Sequence, residues 1–291
     1  MNKYLSLNLT GLFLISSYST VNAVDIIPGN AIAPPPNFNI FTATYSALKT
    51  GKQYINSKEQ ALDTKAEASV IMLRYTRTFN FLDQPAAFYI QPSFGEVKPG
   101  AILASNNDSS GLGDTAFAFA YWPYSNRQAG SYFGTVAYLV TPTGEYDSNE
   151  LINLGQNRYS GAFQIGYHTK LSRKLDLMAA ADVQWFGDNN DYRLTHQKFE
   201  QKPLYSSQLS IMFNIDPKFM LAASYYVNRD GETALNGIDR NDQIDAERYQ
   251  LMAKGKFDFG NLIFQYGSDL DRANGFFEEQ RAFLRYQYVW K

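Results

Sequence analysis

The connections along this chain alternate in length, short then long, between about a dozen stretches whose hydrophobicity repeats every second residue. Sharp turns such as Leu82-Asp83-Gln84-Pro85, Leu171-Ser172-Arg173-Lys174, Asp216-Pro217-Lys218 and Asp258-Phe259-Gly260-Asn261 take turns with much longer polar loops. A soluble barrel has no reason to keep its long loops at one end. An outer-membrane barrel does, because its periplasmic turns are tight and its extracellular loops long. The pattern therefore predicts an all-β fold, an antiparallel transmembrane β-barrel of about 12 strands.

Strands are expected at 38–48, 66–80, 86–97, 114–122, 131–141, 157–169, 176–187, 204–215, 219–228, 244–257, 262–270 and 280–290, with long loops near 49–65, 98–113, 142–156, 188–203, 229–243 and 271–279. An even count places both ends of the barrel sequence on the periplasmic side. Alternation is clearest in the second half: Leu177, Ala179, Ala181, Val183 and Trp185 share one face, while Asp176, Asp182 and Gln184 share the other. Likewise Leu209, Ile211, Phe213 and Ile215 oppose Ser206, Gln208, Ser210 and Asn214.

Period two does not say which face points outward, since a soluble barrel alternates as well with its apolar set inside. Three features decide for lipid outside and water inside. Asp182, Arg248 and Arg285 fall within strands on the polar face. Aromatic residues, 15% of the chain, gather near strand ends (Phe119 and Tyr121, Tyr167, Tyr225, Tyr266, Tyr286 and Tyr288), where interfacial girdles belong. Finally, the last strand ends Tyr288-Val289-Trp290-Lys291, similar to the C-terminal signal by which the barrel-assembly machinery recognises its clients, with Lys291 as a departure.

At the N-terminus, Lys3, an apolar stretch over 5–18 and the small residues Val21-Asn22-Ala23 read as a secretory signal peptide cleaved after Ala23. The apolar stretch is shorter than the roughly 20 residues of a spanning helix. The division expected is 1–23 signal peptide, 24–37 a Pro-rich periplasmic lead-in, and 38–291 the barrel. Pro28 and the run Pro34-Pro35-Pro36 cannot donate to a ladder, so the lead-in is no strand. Whether it enters the barrel is not readable. The chain has no cysteine, which excludes disulfides and thiolate zinc sites, and its net charge of −2 argues against a nucleic-acid partner.

No catalytic, metal or cofactor-binding residue is expected. Barrel lipases place a nucleophilic Ser two residues after the His that activates it, but His168 is followed two residues on by Lys170, and His196 by Lys198. The acidic pieces Asp188-Asn189-Asn190-Asp191 and Asp239-Arg240-Asn241-Asp242 read as solvated loops. What remains is the lumen, where Arg74, Gln91, Arg158, Gln164, Asp182, Gln184, Gln208, Arg248 and Arg285 are expected at mid-membrane depth. They fill a narrow barrel with a polar network, line a path and set its selectivity, or do both.

Four short stretches resemble one family. Ala33-Pro34-Pro35-Pro36 runs into the first strand, Ser110-Gly111-Leu112-Gly113-Asp114 precedes another, and Thr141-Pro142-Thr143-Gly144-Glu145-Tyr146 is followed by Asn153-Leu154-Gly155-Gln156-Asn157-Arg158. In order and spacing the chain resembles the outer-membrane proteins of the MetA-pathway of phenol degradation family. That resemblance implies a bacterial outer-membrane barrel passing small, often aromatic or apolar, compounds, with outer-membrane lipid and a small solute as its partners. It brings no catalytic residues. Gly111, Gly113 and Asp114 read as turn geometry at the extracellular rim. The competing readings are a structural or adhesive barrel with a closed lumen and partner-binding loops and, third, an outer-membrane hydrolase.

Overall fold

The computed structural model describes residues 25–291 apart from 62, 102, 103, 105 and 106. The expected export signal, residues 1–23, lies outside them. The chain runs through β1 (Asn39–Ile55), β2 (Lys58–Glu59), β3 (Ala66–Phe81), β4 (Gln84–Pro99), β5 (Ser109–Asn126), β6 (Ser131–Thr141), β7 (Ser160–Lys170) and β8 (Leu175–Phe186). It continues through β9 (Asn189–Tyr192), β10 (Gln197–Gln201), β11 (Leu204–Asn214), β12 (Phe219–Asp230), β13 (Thr233–Leu235), β14 (Ile238–Asp239), β15 (Ala246–Phe257), β16 (Gly260–Arg272) and β17 (Gly275–Trp290). Twelve of these strands form a closed antiparallel barrel, each long strand pairing with the next and β17 returning to β1. Asn39 faces Trp290 and Thr44 faces Arg285 across that seam, so no edge is left unpaired.

Each expected strand is present, in order. The short turns owe their shape to local chemistry. Leu82 and Asp83 both hold positive φ, as a primed two-residue hairpin turn requires. The Asp216 carboxylate accepts the amides of Lys218 (2.7 Å) and Phe219 (2.9 Å), and the Ser172 hydroxyl accepts that of Leu175 (3.1 Å).

The alternating faces divide as expected. Leu209, Ile211, Phe213 and Ile215 all point outward, 46–52% exposed, while Gln208, Ser210 and Met212 between them are buried inside. Rings meet at the end that carries the short turns: Phe81 packs edge-on against Phe119 (5.6 Å between centroids), and Tyr288 stacks on Trp290 (5.7 Å). A belt of that kind suits the level of lipid headgroups.

Four expected loops are more ordered than their composition suggests. β1 runs on to Ile55 and β17 begins at Gly275, pairing Tyr54 with Gly275, so only Ala273 and Asn274 separate β16 from β17. Loops 188–203 and 229–243 contribute β9, β10, β13 and β14, which form a separate four-stranded sheet at the extracellular end. Its strands of two to five residues are too short for a period-two signal to register.

Residues 25–37, the lead-in, contact the inner wall of the barrel. Ile27 and Ala31 are buried in one apolar cluster with the inward-facing Met178, Met212, Ala222, Met252 and Ile263. Further along, Ala33 packs with Ala87, Ala120, Trp122 and Tyr132. The Trp122 indole donates to the Ala31 carbonyl (2.9 Å), and the Thr78 hydroxyl donates to that of Pro35 (2.8 Å). Space for this segment is made by Gly134 and Gly166, cross-strand partners in β6 and β7. A Cβ on Gly134 would come within 2.9 Å of Trp122, and one on Gly166 within 3.2 Å of the Ile26 side chain. The described part of the Pro-rich lead-in thus lies against the lumen wall.

Candidate functional site

The segment divides the lumen into two cavities. The outer one, ≈ 1440 Å³ counted with the solvent in its mouth, lies on the extracellular side between barrel wall and outer sheet; the inner one, ≈ 1140 Å³, lies around the segment towards the short-turn end. Asp25 lines both.

Eight of the nine polar residues expected in the lumen stand on barrel strands, and Arg158 stands on the loop before β7. Arg74, over the Tyr89 ring at 4.3 Å, donates to Gln91 (2.7 Å), and Arg285 donates to Gln265 on the far side of β1. Gln164 accepts from the Tyr138 hydroxyl (2.9 Å) and, with Gln184, donates to Asp182. Gln208 behaves like a fragment of backbone: its Oε1 accepts the Ile26 amide (3.1 Å) while its Nε2 donates to the Ile26 carbonyl (2.8 Å).

Arg248 holds the tip of the segment. Its Nη2 donates to Asp25 Oδ1 (2.5 Å), and Arg281 reaches the other Asp25 oxygen at 3.4 Å. Arg281 also pairs with Glu278 (2.9 Å), while Arg272 pairs with Asp269 (2.8 Å), whose carboxylate accepts the Glu278 amide. Arg281, Asp25, Asp269, Arg272 and Glu278 were missed in the sequence as parts of this cluster. Arg272 and Glu278 sit where β16 and β17 outrun the lengths read for them, Asp269 and Arg281 lie at the ends of the strands expected there, and Asp25 belongs to the lead-in.

Arg158 is corrected in depth. It precedes β7 and belongs to the extracellular rim, where its guanidinium lies between Phe186 (4.8 Å) and Phe199 (4.9 Å) and donates to Gln156 and to Gln201 of the outer sheet. The reading of Gly111, Gly113 and Asp114 as a turn is corrected too, since all three lie within β5. The Asp114 carboxylate accepts the amides of Gly144 (3.0 Å) and Gln156 (2.9 Å), and the Glu145 amide donates to the Leu112 carbonyl (2.8 Å). Gly144 lies so near Gly155 that a Cβ on it would be 2.7 Å from the Gly155 Cα. Two motifs distant in sequence therefore form one knot with β5, and the knot positions Arg158. Beside it, the Tyr146 hydroxyl donates to the Asp191 carbonyl of the outer sheet (2.8 Å), and burial raises the phenol pKa, keeping it a neutral donor.

Both histidines and several loop charges stand beside charged neighbours. His168 is buried beside Tyr132 with Asp176 at 3.8 Å. His196 pairs with Asp191, Lys198 with Asp188, Lys202 with Asp239 and Arg240 with Asp242.

Among solved structures the chain is similar to the COG4313 outer membrane channel from Pseudomonas putida F1: TM-score 0.88, 27% identity, covering 91% of this chain and 100% of that one. It is also similar to the β domain of the Bordetella autotransporter BrkA at TM-score 0.51 and 10% identity, covering 87% of this chain and 100% of that one, a likeness of fold alone. No curated protein matches it in sequence. With its closed barrel and apolar outer face, the molecule is an outer-membrane protein. Residues 31–286 match the model of the family described as "Putative MetA-pathway of phenol degradation", and the chain belongs to that family.

Proposed function

We propose that this barrel is a channel through which small apolar or aromatic molecules cross the outer membrane, and that passage requires the N-terminal segment to shift. One observation carries the reading. The two cavities are separated by a segment outside the barrel strands, which meets the wall through a few hydrogen bonds, an ion-paired tip and a patch of methionines. A purely structural barrel of this size needs no such insert. Methionine is unbranched and adaptable, a surface against which one apolar body replaces another at small cost. The likeness to an outer membrane channel supports the same reading. Outer-membrane lipid around the apolar belt and the barrel-assembly machinery during biogenesis are the other partners this account carries.

The chemistry at this site is binding and passage. His168 packs in the wall and Ser172 caps a turn, so the pair a hydrolase would need is assigned to structure. Currents through the purified protein in a planar bilayer test the proposal. A channel gives resolvable currents that benzyl alcohol, added from the extracellular side, interrupts. A silent bilayer with the barrel fold retained favours a closed structural barrel whose outer sheet does the work.

A further inference from the structure

The segment itself describes the ligand it would give way to. Asp25 is followed by Ile26 and Ile27: an acidic head on a branched apolar body. The head lies between Arg248 and Arg281, while Ile26 and Ile27 pack on the cluster of Met178, Met212, Met252 and Ile263. Along the segment the wall thus presents a cationic end, with Arg248 at the floor of the outer cavity, and an apolar end, both occupied by a piece of the chain.

Charge sharpens this. Three arginines, Arg248, Arg272 and Arg281, are ion-paired with three carboxylates, Asp25, Asp269 and Glu278. Asp269 and Glu278 belong to barrel strands and have arginines of their own. Asp25 alone is off the barrel. Among the described residues it is the one carboxylate ion-paired with Arg248, and the Nε groups of Arg248 and Arg281 have no hydrogen-bond partner there. Both guanidiniums are at least nine-tenths buried and lie over rings, Arg248 over Tyr226 (4.2 Å) and Arg281 over Phe283 (5.0 Å). Asp182 lines the same outer cavity, but its oxygens are taken by the amides of Gln164 and Gln184. When the segment withdraws, three cations therefore face two carboxylates within the cluster. A buried arginine left without a counter-charge is strongly unfavourable, and an incoming anion relieves it.

We infer that the site between Arg248 and Arg281, continuing onto the Met178, Met212 and Met252 surface, binds a small monocarboxylate carried on an apolar or aromatic body, and that Asp25-Ile26-Ile27 is its internal competitor. This rests on the reading of the barrel as a channel and narrows its solutes to those with an acidic head. Ligand and segment exchange one carboxylate for another on the same arginines.

Binding of benzoate and of its neutral counterpart benzyl alcohol to the full-length protein in neutral detergent, by titration calorimetry at fixed low chloride, tests it. Asp25→Asn keeps the shape of the competitor and removes its charge, and it lies outside the barrel strands. It should tighten benzoate at least about tenfold more than it tightens benzyl alcohol. Arg248→Gln, checked for the heat-modifiable gel mobility of a folded barrel, should abolish the preference for benzoate. If Asp25→Asn leaves benzoate binding where it was, or tightens both compounds equally, the inference is overturned, whatever Arg248→Gln does. Benzyl alcohol interrupting bilayer currents while benzoate fails to bind would sink this inference and leave the channel standing. Benzoate binding in a protein that carries no current would do the reverse.

Discussion

Asp25 Oδ1 and Arg248 Nη2 lie 2.5 Å apart although 223 positions separate them in the chain, so the tip of the lumen segment is fastened to β15. Removing one partner of a fully buried ion pair costs about 3–5 kcal/mol, and less where one member keeps a quarter of its side chain exposed, as Asp25 does. Asp25→Ala is expected to raise the mean conductance in planar bilayers by loosening the tip. Unchanged currents would mean that the ion pair does not hold the segment.

Trp122 fixes the middle of the segment through the Ala31 carbonyl. Trp122→Phe keeps an aromatic ring and removes one buried donor, a loss of about 1 kcal/mol. The Asn30 amide, which donates to the Ile27 carbonyl within the segment, should then exchange with deuterium about fivefold faster, while barrel amides such as that of Ile211 keep their rates.

Asp114 ties β5 to the loop after β6. Asp114→Ala leaves the amides of Gly144 and Gln156 without their acceptor, at about 1–3 kcal/mol for each amide that stays buried. Proteolysis of intact proteoliposomes should then cut within 142–159 well before the unmodified protein is touched. Gly144→Ala should act in the same direction, since its methyl meets the Gly155 backbone. Equal cleavage times for variants and unmodified protein would remove the knot from the account.

The outward face of β11 sets a stability test. Ile211→Lys should lower the unfolding free energy in lipid vesicles by about 2–4 kcal/mol if the position lies near the bilayer midplane. A change within about 0.5 kcal/mol, the size of an ordinary surface substitution, would mean that Ile211 does not face hydrocarbon.

The barrel was legible because period two survives wherever one face meets lipid. Leu209, Ile211, Phe213 and Ile215 could be assigned to one side without coordinates. The same rule hid the segment. Its prolines exclude it from the ladder, and nothing local says where a non-strand goes. A signal was nonetheless present in the wall. Met178 and Met212 occupy lumen positions among Asp182, Gln184, Gln208 and Ser210, and neighbouring strands place Met252 and Ile263 beside them. Apolar side chains on the wet face of successive strands need a cover. Of the candidate site, Arg248 was expected in the lumen because it falls in mid-strand on the polar face. Asp25 was not, since a carboxylate in a leader has no pattern to break. Arg158 was expected at mid-membrane depth and lies at the rim, because the loop that holds it is built by Asp114, more than forty residues earlier.

Residues 25–37 occupy the lumen, and the proposed passage depends on their leaving it. A Cβ built on Gly166 lies 3.6 Å from that of Ala31, within the separation a disulfide spans, and the chain has no cysteine to compete. The decisive measurement is the planar-bilayer conductance of the Ala31→Cys, Gly166→Cys double variant before and after reduction. The disulfide should form in the folded barrel, the oxidised protein should be held at its lowest conductance, and reduction should raise it. Failure of the cysteines to join in a folded barrel, or equal conductance in the two states, would contradict that dependence.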